Sequence, residues 1–332
     1  MNVRTATTEP DVRIDSYVQD DGSLDSMAAD VLRGLGRPGL KEIPPKYFYD
    51  ARGSELFEQI TRLPEYYPTR CERAILNRRS PEIVAITGAR ELVELGSGSA
   101  SKTRALLYAM AGAGTLERYV PVDVSETVVQ QSATELIETY PGLRVHGMVG
   151  DFERHLDLLP PGRQRLLVFL GGTIGNFYPA ERGRFFERVR AMMEPGDHLL
   201  LGVDLVKDIG RLEAAYNDDA GVTAEFNRNV LYAINRDLGA DFDPAAFEHV
   251  AFFDTDNSWI EMRLRCDSSQ RVSVPACGLD LDLAPGEEIR TEISTKFTPA
   301  FLAAEFAAAG LCLESFFTDP EGLFGLSLAS PA

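Results

Sequence analysis

The run Leu92-Val93-Glu94-Leu95-Gly96-Ser97-Gly98 narrows the choice of fold more than any other stretch of these 332 residues. A short apolar segment rich in branched residues carries one acid, Glu94, and ends in two glycines spaced by one residue. A helix-like segment from Lys102 to Met110 follows. The pattern reads as strand, tight turn and helix. Glycine suits such a turn because a Cβ would block both the sharp reversal and the close approach of a ligand to the backbone. A glycine pair after a strand also occurs in plain turns, so the surrounding sequence has to decide.

The dinucleotide fingerprint requires a glycine three residues after the second one, for close helix packing, and Ser101 stands there. That disfavours NAD. S-adenosylmethionine carries no pyrophosphate, so its loop relaxes the demand, and the acid Glu94 suits its amino group. The next apolar run, Tyr119 to Val122, ends in Asp123, placed to accept both ribose hydroxyls. A third, Arg144 to Val149, ends in Gly150-Asp151-Phe152, which offers a carboxylate and an aromatic face to an adenine. Any one of these aspartates alone reads as a helix cap. Three successive strand ends that each carry an acid read as a ligand crevice.

The alternation is regular on both sides of this stretch. Strands are expected at 91–95, 119–123, 144–149, 166–170 and 198–205, with helices at 101–112, 125–139 and 180–193. Leu166 to Leu170 is a continuous apolar run, as a strand buried on both faces of a parallel sheet requires. Repeated strand-helix units predict an α/β, doubly wound sheet with its ligand beyond the carboxyl ends of the strands. Pro299 to Ala309 reads as a helix, and Leu311 to Phe317 with Phe324 to Ala329 as two closing strands, giving seven strands in all.

Between Val206 and Lys296 the texture changes. Arg211 to Leu238 is helical in spacing, interrupted at Asn217 and Gly221, and Phe247 to Ala276 alternates like antiparallel strands around Trp259. Upstream, only Met27 to Leu35 shows helical spacing within residues 1 to 40, so the first dozen residues are expected to be frayed. Ile43 to Asp50 combines two prolines with three aromatics. A helix from Gly53 to Leu63 then gives way to Pro64-Glu65-Tyr66-Tyr67-Pro68, and a helix from Cys71 to Thr87 leads into the glycine-loop strand. Such aromatic clusters read first as core.

The formal charge of −18 argues against a nucleic-acid surface or an anionic membrane as partner, since both need basic patches. Cys71, Cys266, Cys277 and Cys312 are far apart and fit neither a zinc spacing nor a disulfide framework. No N-terminal apolar segment and no window of roughly 20 apolar residues is present, so a cytoplasmic location is expected, and a monomer.

Several strings resemble one family. Tyr49-Asp50-Ala51-Arg52-Gly53-Ser54, Leu63-Pro64-Glu65-Tyr66-Tyr67-Pro68-Thr69-Arg70, Glu94-Leu95-Gly96-Ser97-Gly98, Gly175-Asn176, Asp204-Leu205-Val206-Lys207-Asp208, Ala224-Glu225-Phe226-Asn227-Arg228-Asn229 and Glu292-Ile293-Ser294-Thr295-Lys296-Phe297 are similar to the histidine-specific Nα-methyltransferases of ergothioneine biosynthesis. The resemblance runs from about Ile43 to the C-terminus. It implies a class I methyltransferase domain, residues 71–206 with 297–332, and a substrate-binding α+β domain, residues 1–70 with 207–296. It also implies S-adenosylmethionine contacts at Gly96, Lys102, Asp123, Asp151 and Phe152, and L-histidine contacts at Tyr49, Tyr66, Asn176, Tyr216, Glu292 and Ser294.

The chemistry of these side chains fits a free amino acid. Asn176 has donors and acceptors enough to bridge amine and carboxylate, Tyr216 can donate to the carboxylate, and Tyr66 can accept from the amine. Glu292 and Ser294 stand two apart on a strand and so share a face, where they can grip both imidazole nitrogens. Methyl transfer needs alignment of amine, methyl and sulfur rather than a metal. None of His146, His155, His198 and His249 lies in a matched string, so no dedicated general base is expected. Deprotonation through water and selective binding of the neutral amine are both open. The expected reaction is trimethylation of L-histidine to hercynine, the first step of ergothioneine biosynthesis. The alternatives are the same chemistry on another amino acid such as tryptophan, and a cofactor-binding sensor without turnover.

Overall fold

The computed structural model describes residues 11–17, 23–98 and 100–332. Its centre is an eight-stranded sheet ordered Val12–Ser16, Arg144–Val149, Arg118–Asp123, Glu91–Leu95, Arg165–Phe169, His198–Asp204, Phe324–Pro331 and Leu311–Thr318. The first six strands run parallel; Phe324–Pro331 is antiparallel to both of its neighbours. Every residue of Glu91–Leu95 and Arg165–Phe169 is buried, which is why Leu166 to Phe169 reads as a continuous apolar run rather than an alternating one. One apolar cluster, including Leu92, Leu106, Tyr119 and Phe324, fills one face of the sheet, and another, including Val93, Val120, Phe186 and Phe306, fills the other. The doubly wound expectation is met.

The seven expected strands are joined by an eighth. Val12–Ser16 pairs in parallel with Arg144–Val149, from Val12 opposite Val145 to Ser16 opposite Val149. Ile14 lies over Gly147, where an added Cβ would stand 3.3 Å from Ile14 Cγ1, and His146 Nε2 meets Asp15 Oδ2 at 2.8 Å across the pair. The strand is short and edges a polar segment, so its alternation is easy to miss. Of the residues expected to be frayed, 1–10 lie outside the described ones.

A second layer of structure covers the carboxyl ends of the parallel strands. Its four-stranded sheet is ordered Lys41–Glu42, Glu288–Thr295, Trp259–Cys266 and Phe247–Asp254, beside a hairpin of Gln270–Val274 and Leu279–Leu283. The alternating stretch 247–276 therefore divides between two sheets. The expected helix 211–238 is two helices, Ile209–Ala214 and Val222–Leu238. Gly221, with φ +73°, takes the left-handed turn between them, and Asp218 caps the second by accepting from Val222 N at 2.9 Å and Thr223 N at 2.8 Å. A third apolar cluster, with Leu35, Phe48, Val230 and Leu264, holds this layer together.

The chain passes between the layers near Val206 and again near Phe297, and these two crossings run side by side. Phe297 N donates to Asp204 O at 2.8 Å and Val206 N to Phe297 O at 3.0 Å. Among the described residues no helix is long and apolar enough to cross a membrane.

Removing residues 1–17 leaves Arg144–Val149 as a bare sheet edge and uncovers the surface under the half-buried Val12 and Ile14. The expected cost is about 2 kcal/mol, a drop of several degrees in thermal midpoint. A calorimetric scan showing an unchanged midpoint would contradict the packing described for this strand.

Candidate active site

The glycine loop is built by backbone geometry that side chains oppose. Gly96 and Gly98 have φ of +68° and +48°, and Gly96 N and Ser97 N donate to Val122 O at 2.8 and 3.1 Å. Asp123, at the end of the adjacent strand, accepts from Gly98 N at 2.9 Å and from Ser125 N at 3.0 Å, so the acid that faces the crevice also fixes the loop beside it. Asp151 Oδ1 caps the short helix Phe152–His155 by accepting from Glu153 N at 2.8 Å. Among the described residues no hydrogen bond occupies its Oδ2. The Phe152 ring packs on Phe169 with centroids 5.1 Å apart, and a Cβ on Gly96 would stand 3.8 Å from Phe152 Cε1. Gly96, Asp123, Asp151 and Phe152 thus line one slot at the carboxyl ends of three neighbouring strands, and Ser97 Oγ is buried there with no partner among the described residues.

Lys102 closes the other end of the slot. Its ammonium lies 2.7 Å from Oε2 of Glu72, a fully buried residue of the helix Pro68–Thr87, and Glu72 Oε1 accepts from Gly171 N at 2.7 Å. This one carboxylate joins the helix Pro68–Thr87, the end of the glycine loop and the turn after Arg165–Phe169. These groups fit a ligand with an adenine, a ribose and an amino-acid tail: an aromatic face, a carboxylate at the second strand end, and a cation at the far end.

Glu94 does not serve this slot. It is buried, Thr103 Oγ1 donates to Oε1, and Tyr119 Oη donates to Oε2 at 2.5 Å. Burial pushes its carboxyl up to about 7, against the pull of those two donors. The acid at the strand end holds the loop's following turn instead of reaching a ligand's amino group.

The side chains expected to take the substrate converge from five segments of the chain. Glu292 and Ser294 share a face of Glu288–Thr295, whose pairing with Trp259–Cys266 shifts register between Arg290 and Glu292. Asn176, in the turn Thr173–Asn176, donates from Nδ2 to Ile293 O at 2.7 Å, and its side chain also hydrogen-bonds Glu292. That turn approaches the strand so closely that a Cβ on Gly175 would come within 3.0 Å of Thr295 O. Tyr216 meets Ser294 Oγ at 2.8 Å through its hydroxyl, and His249 Nε2 meets Tyr216 O at 2.8 Å. Tyr66 lies with its ring 6.4 Å from that of Tyr216 and 6.2 Å from Phe57. Tyr49 completes an aromatic wall, 5.6 Å from Phe57 and 5.7 Å from Phe226. Although 51% of Tyr49 is open to solvent, the surrounding protein and then the charge of Glu292 push its phenol above the usual range.

Burial pushes the Glu292 carboxyl up to about 7, partly offset by the Lys296 charge and the Asn176 hydrogen bond. Lys296 is fully buried; burial works against its charge, but Asp204 and Tyr216 outweigh that and hold the ammonium above the usual lysine range. Asp204 Oδ2 is 2.9 Å from Lys296 Nζ, and Asp204 accepts from Tyr67 Oη at 2.9 and 2.8 Å. Lys207 also reaches Asp204 and donates to Tyr67 Oη at 2.7 Å. Lys296, Asp204, Lys207 and Phe226 stand inside the strings that carried the family resemblance, yet spacing alone assigned them no role. Glu72 had no signal beyond a charged residue on a helix. The histidines are structural: His249 supports Tyr216, and His155 Nδ1 accepts from Asp151 N at 3.1 Å.

A family model for SAM-dependent, histidine-specific methyltransferases matches residues 27–331. A histidine N-alpha-methyltransferase of Mycolicibacterium smegmatis is 52% identical over 314 residues, covering 95% of this chain and 98% of that protein. One of Mycobacterium tuberculosis is 51% identical, covering 96% of this chain and 99% of its own. Ergothioneine biosynthesis protein 1 of Neurospora crassa is 33% identical over 208 residues, 61% of this chain and 24% of that longer protein.

A Cβ at Gly202 would stand 2.3 Å from Glu72 Oε1, so Gly202→Ala displaces the carboxylate that holds Lys102 and Gly171. The expected result is a loss of about 1–3 kcal/mol in stability and about tenfold weaker S-adenosylhomocysteine binding by calorimetry. Gly183→Ala, where an added Cβ meets nothing within 4 Å, is the control. Unchanged affinity in Gly202→Ala would remove Glu72 from the cofactor site.

Proposed function

This chain belongs to the SAM-dependent, histidine-specific methyltransferase family, and from that premise we propose that it trimethylates the α-amino group of L-histidine to hercynine, the first step of ergothioneine biosynthesis. The observation that carries the substrate is the Glu292 and Ser294 pair on one strand face, beside Asn176 and Tyr216. Gly96, Lys102, Asp123, Asp151 and Phe152 would hold S-adenosylmethionine, which supplies an electrophilic methyl on a sulfonium.

Asn176 and Tyr216 take the carboxylate and amine, Tyr66 accepts from the amine, and Glu292 with Ser294 take the ring. The α-nitrogen attacks the methyl carbon as the carbon–sulfur bond breaks and its electron pair goes to sulfur. Holding the reacting atoms about 3 to 3.5 Å apart supplies several kcal/mol of the barrier. The proton of the amine leaves to water or is absent in the form that binds. The wall of Tyr49, Phe57, Tyr66 and Phe226 gives the growing quaternary nitrogen faces to lie against, where a closed hydrogen-bond cage would repel it. Polar atoms aimed at a ring's nitrogens reject rings that lack them far better than an apolar pocket does.

We read the chain as two units, residues 71–206 with 297–332 for the cofactor and 1–70 with 207–296 for the substrate, with Val12–Ser16 lent to the cofactor sheet. The separate apolar clusters support that division. A cytoplasmic monomer acting on free amino acids belongs to the same reading.

Mass spectrometry of reactions with S-adenosylmethionine and each of the twenty amino acids tests the proposal: histidine alone is expected to gain up to three methyl groups. Glu292→Ala should lose about 100-fold in kcat/KM for histidine, the loss of about 2 to 3 kcal/mol expected when a charged hydrogen bond goes. Methylation of a different amino acid, or full histidine activity in Glu292→Ala, would overturn the imidazole assignment.

A further inference from the structure

Lys296 uses all three ammonium protons inside the protein: on Asp204 Oδ2 at 2.9 Å, Tyr216 Oη at 3.0 Å and Ser294 Oγ at 2.8 Å. An ammonium only donates, so both hydroxyl oxygens accept from it. Those hydroxyls also stand 2.8 Å apart in a hydrogen bond, which takes one of their two protons. One proton is left to face outward. The pair therefore offers the crevice one donor and one acceptor. Asp204 cannot turn away to free the lysine, because Tyr67 and Lys207 hold it from the other side.

The next step rests on the proposed function, in which Tyr216 faces the substrate carboxylate and Ser294 a ring nitrogen. A carboxylate only accepts, so the outward proton belongs to Tyr216, and Ser294 is left as the acceptor. The ring nitrogen at Ser294 must then carry a proton. The other nitrogen meets Glu292, either as N–H against a carboxylate or as a bare nitrogen against a protonated carboxyl. In both cases ring and Glu292 together hold one proton more than a neutral imidazole and a carboxylate.

We propose that Lys296, locked by Asp204, is a positioning residue that fixes the proton order of Tyr216 and Ser294, and that histidine's ring binds with one extra proton shared with Glu292. The groups that face Glu292 are Lys296 just beyond the end of its strand, Asn176 from the turn Thr173–Asn176, Tyr49 and Tyr66 from the N-terminal segment, and Tyr216. Lys296 is the one cation among them, and Asp204 already engages it. Burial leaves the Glu292 carboxyl at about 7, so the proton is accessible near neutral pH. At pH 8 the free ring, with an ordinary pKa of about 6.5, is neutral, and the extra proton comes from solvent.

The trimethylated product isolates this proton, because its quaternary nitrogen cannot titrate. Calorimetry of hercynine binding to the wild-type enzyme with S-adenosylhomocysteine, at pH 8 in buffers of different ionisation enthalpy, should show uptake of about one proton per ligand, with affinity falling about tenfold per pH unit above that. Binding without uptake would overturn the inference while leaving histidine as the substrate. Lys296→Met frees Ser294 to turn its proton to a bare ring nitrogen, so uptake should fall towards zero and the Kd rise about tenfold with S-adenosylhomocysteine affinity kept; uptake of one proton there would overturn the role of Lys296. Ser294→Ala removes the obligatory acceptor and should also abolish uptake, which decides the proton count if Lys296→Met does not fold. Failure of the wild-type enzyme both to bind hercynine and to methylate histidine would bring down the functional reading and this inference with it.

Discussion

The buried ion pair of Asp204 and Lys296 is the interaction on which the rest of the site depends. Asp204 ends the last strand of the parallel run, and Lys296 follows the strand that carries Glu292 and Ser294, so the pair joins the two layers where the chain crosses between them. A buried pair of this kind is weak evidence for stability, since desolvation consumes most of its attraction, but losing one partner leaves an uncompensated charge at a cost of about 3–5 kcal/mol. Its value here is geometric. The lysine holds two hydroxyls of the proposed substrate site, and the aspartate that holds the lysine belongs to the same sheet as the strand that runs into the glycine loop.

The same logic recurs at Glu72, where one buried carboxylate spans Lys102 and Gly171 N. In both places a charge sits behind the residues that face the crevice and fixes their direction. This suits methyl transfer, in which placement of the amine against the sulfonium counts for more than any proton shuttle. The aromatic wall contributes no such constraint, and under the proposed trimethylation an amine that grows with each transfer, and is permanently charged after the third, uses that freedom.

The sequence was most readable where structure is local. Gly96, Asp123, Asp151 and Phe152 each follow directly on an apolar strand, so their convergence is implied by a parallel sheet alone. That Glu292 and Ser294 share a face follows from the period of two in a strand, but their assignment to the substrate came only from the family resemblance. What depended on distant partners was not: Glu94 looks like a ligand residue until Thr103 and Tyr119, from a turn and another strand, take both of its oxygens. The strand Val12–Ser16 carries too few residues for a period to stand out, and its register is set by Gly147 and His146 far along the chain. Lys296 took no role from spacing because nothing near it in the sequence announces Asp204.

The most direct test of the account is a crystal structure of the enzyme with S-adenosylhomocysteine and L-histidine bound together. The account predicts the two ring nitrogens within hydrogen-bond distance of Glu292 and Ser294, the carboxylate at Asn176 and Tyr216, and the α-nitrogen aimed at the sulfur along the aromatic wall. A histidine whose ring lies away from Glu292 and Ser294, or whose amine points away from the sulfur, would contradict it.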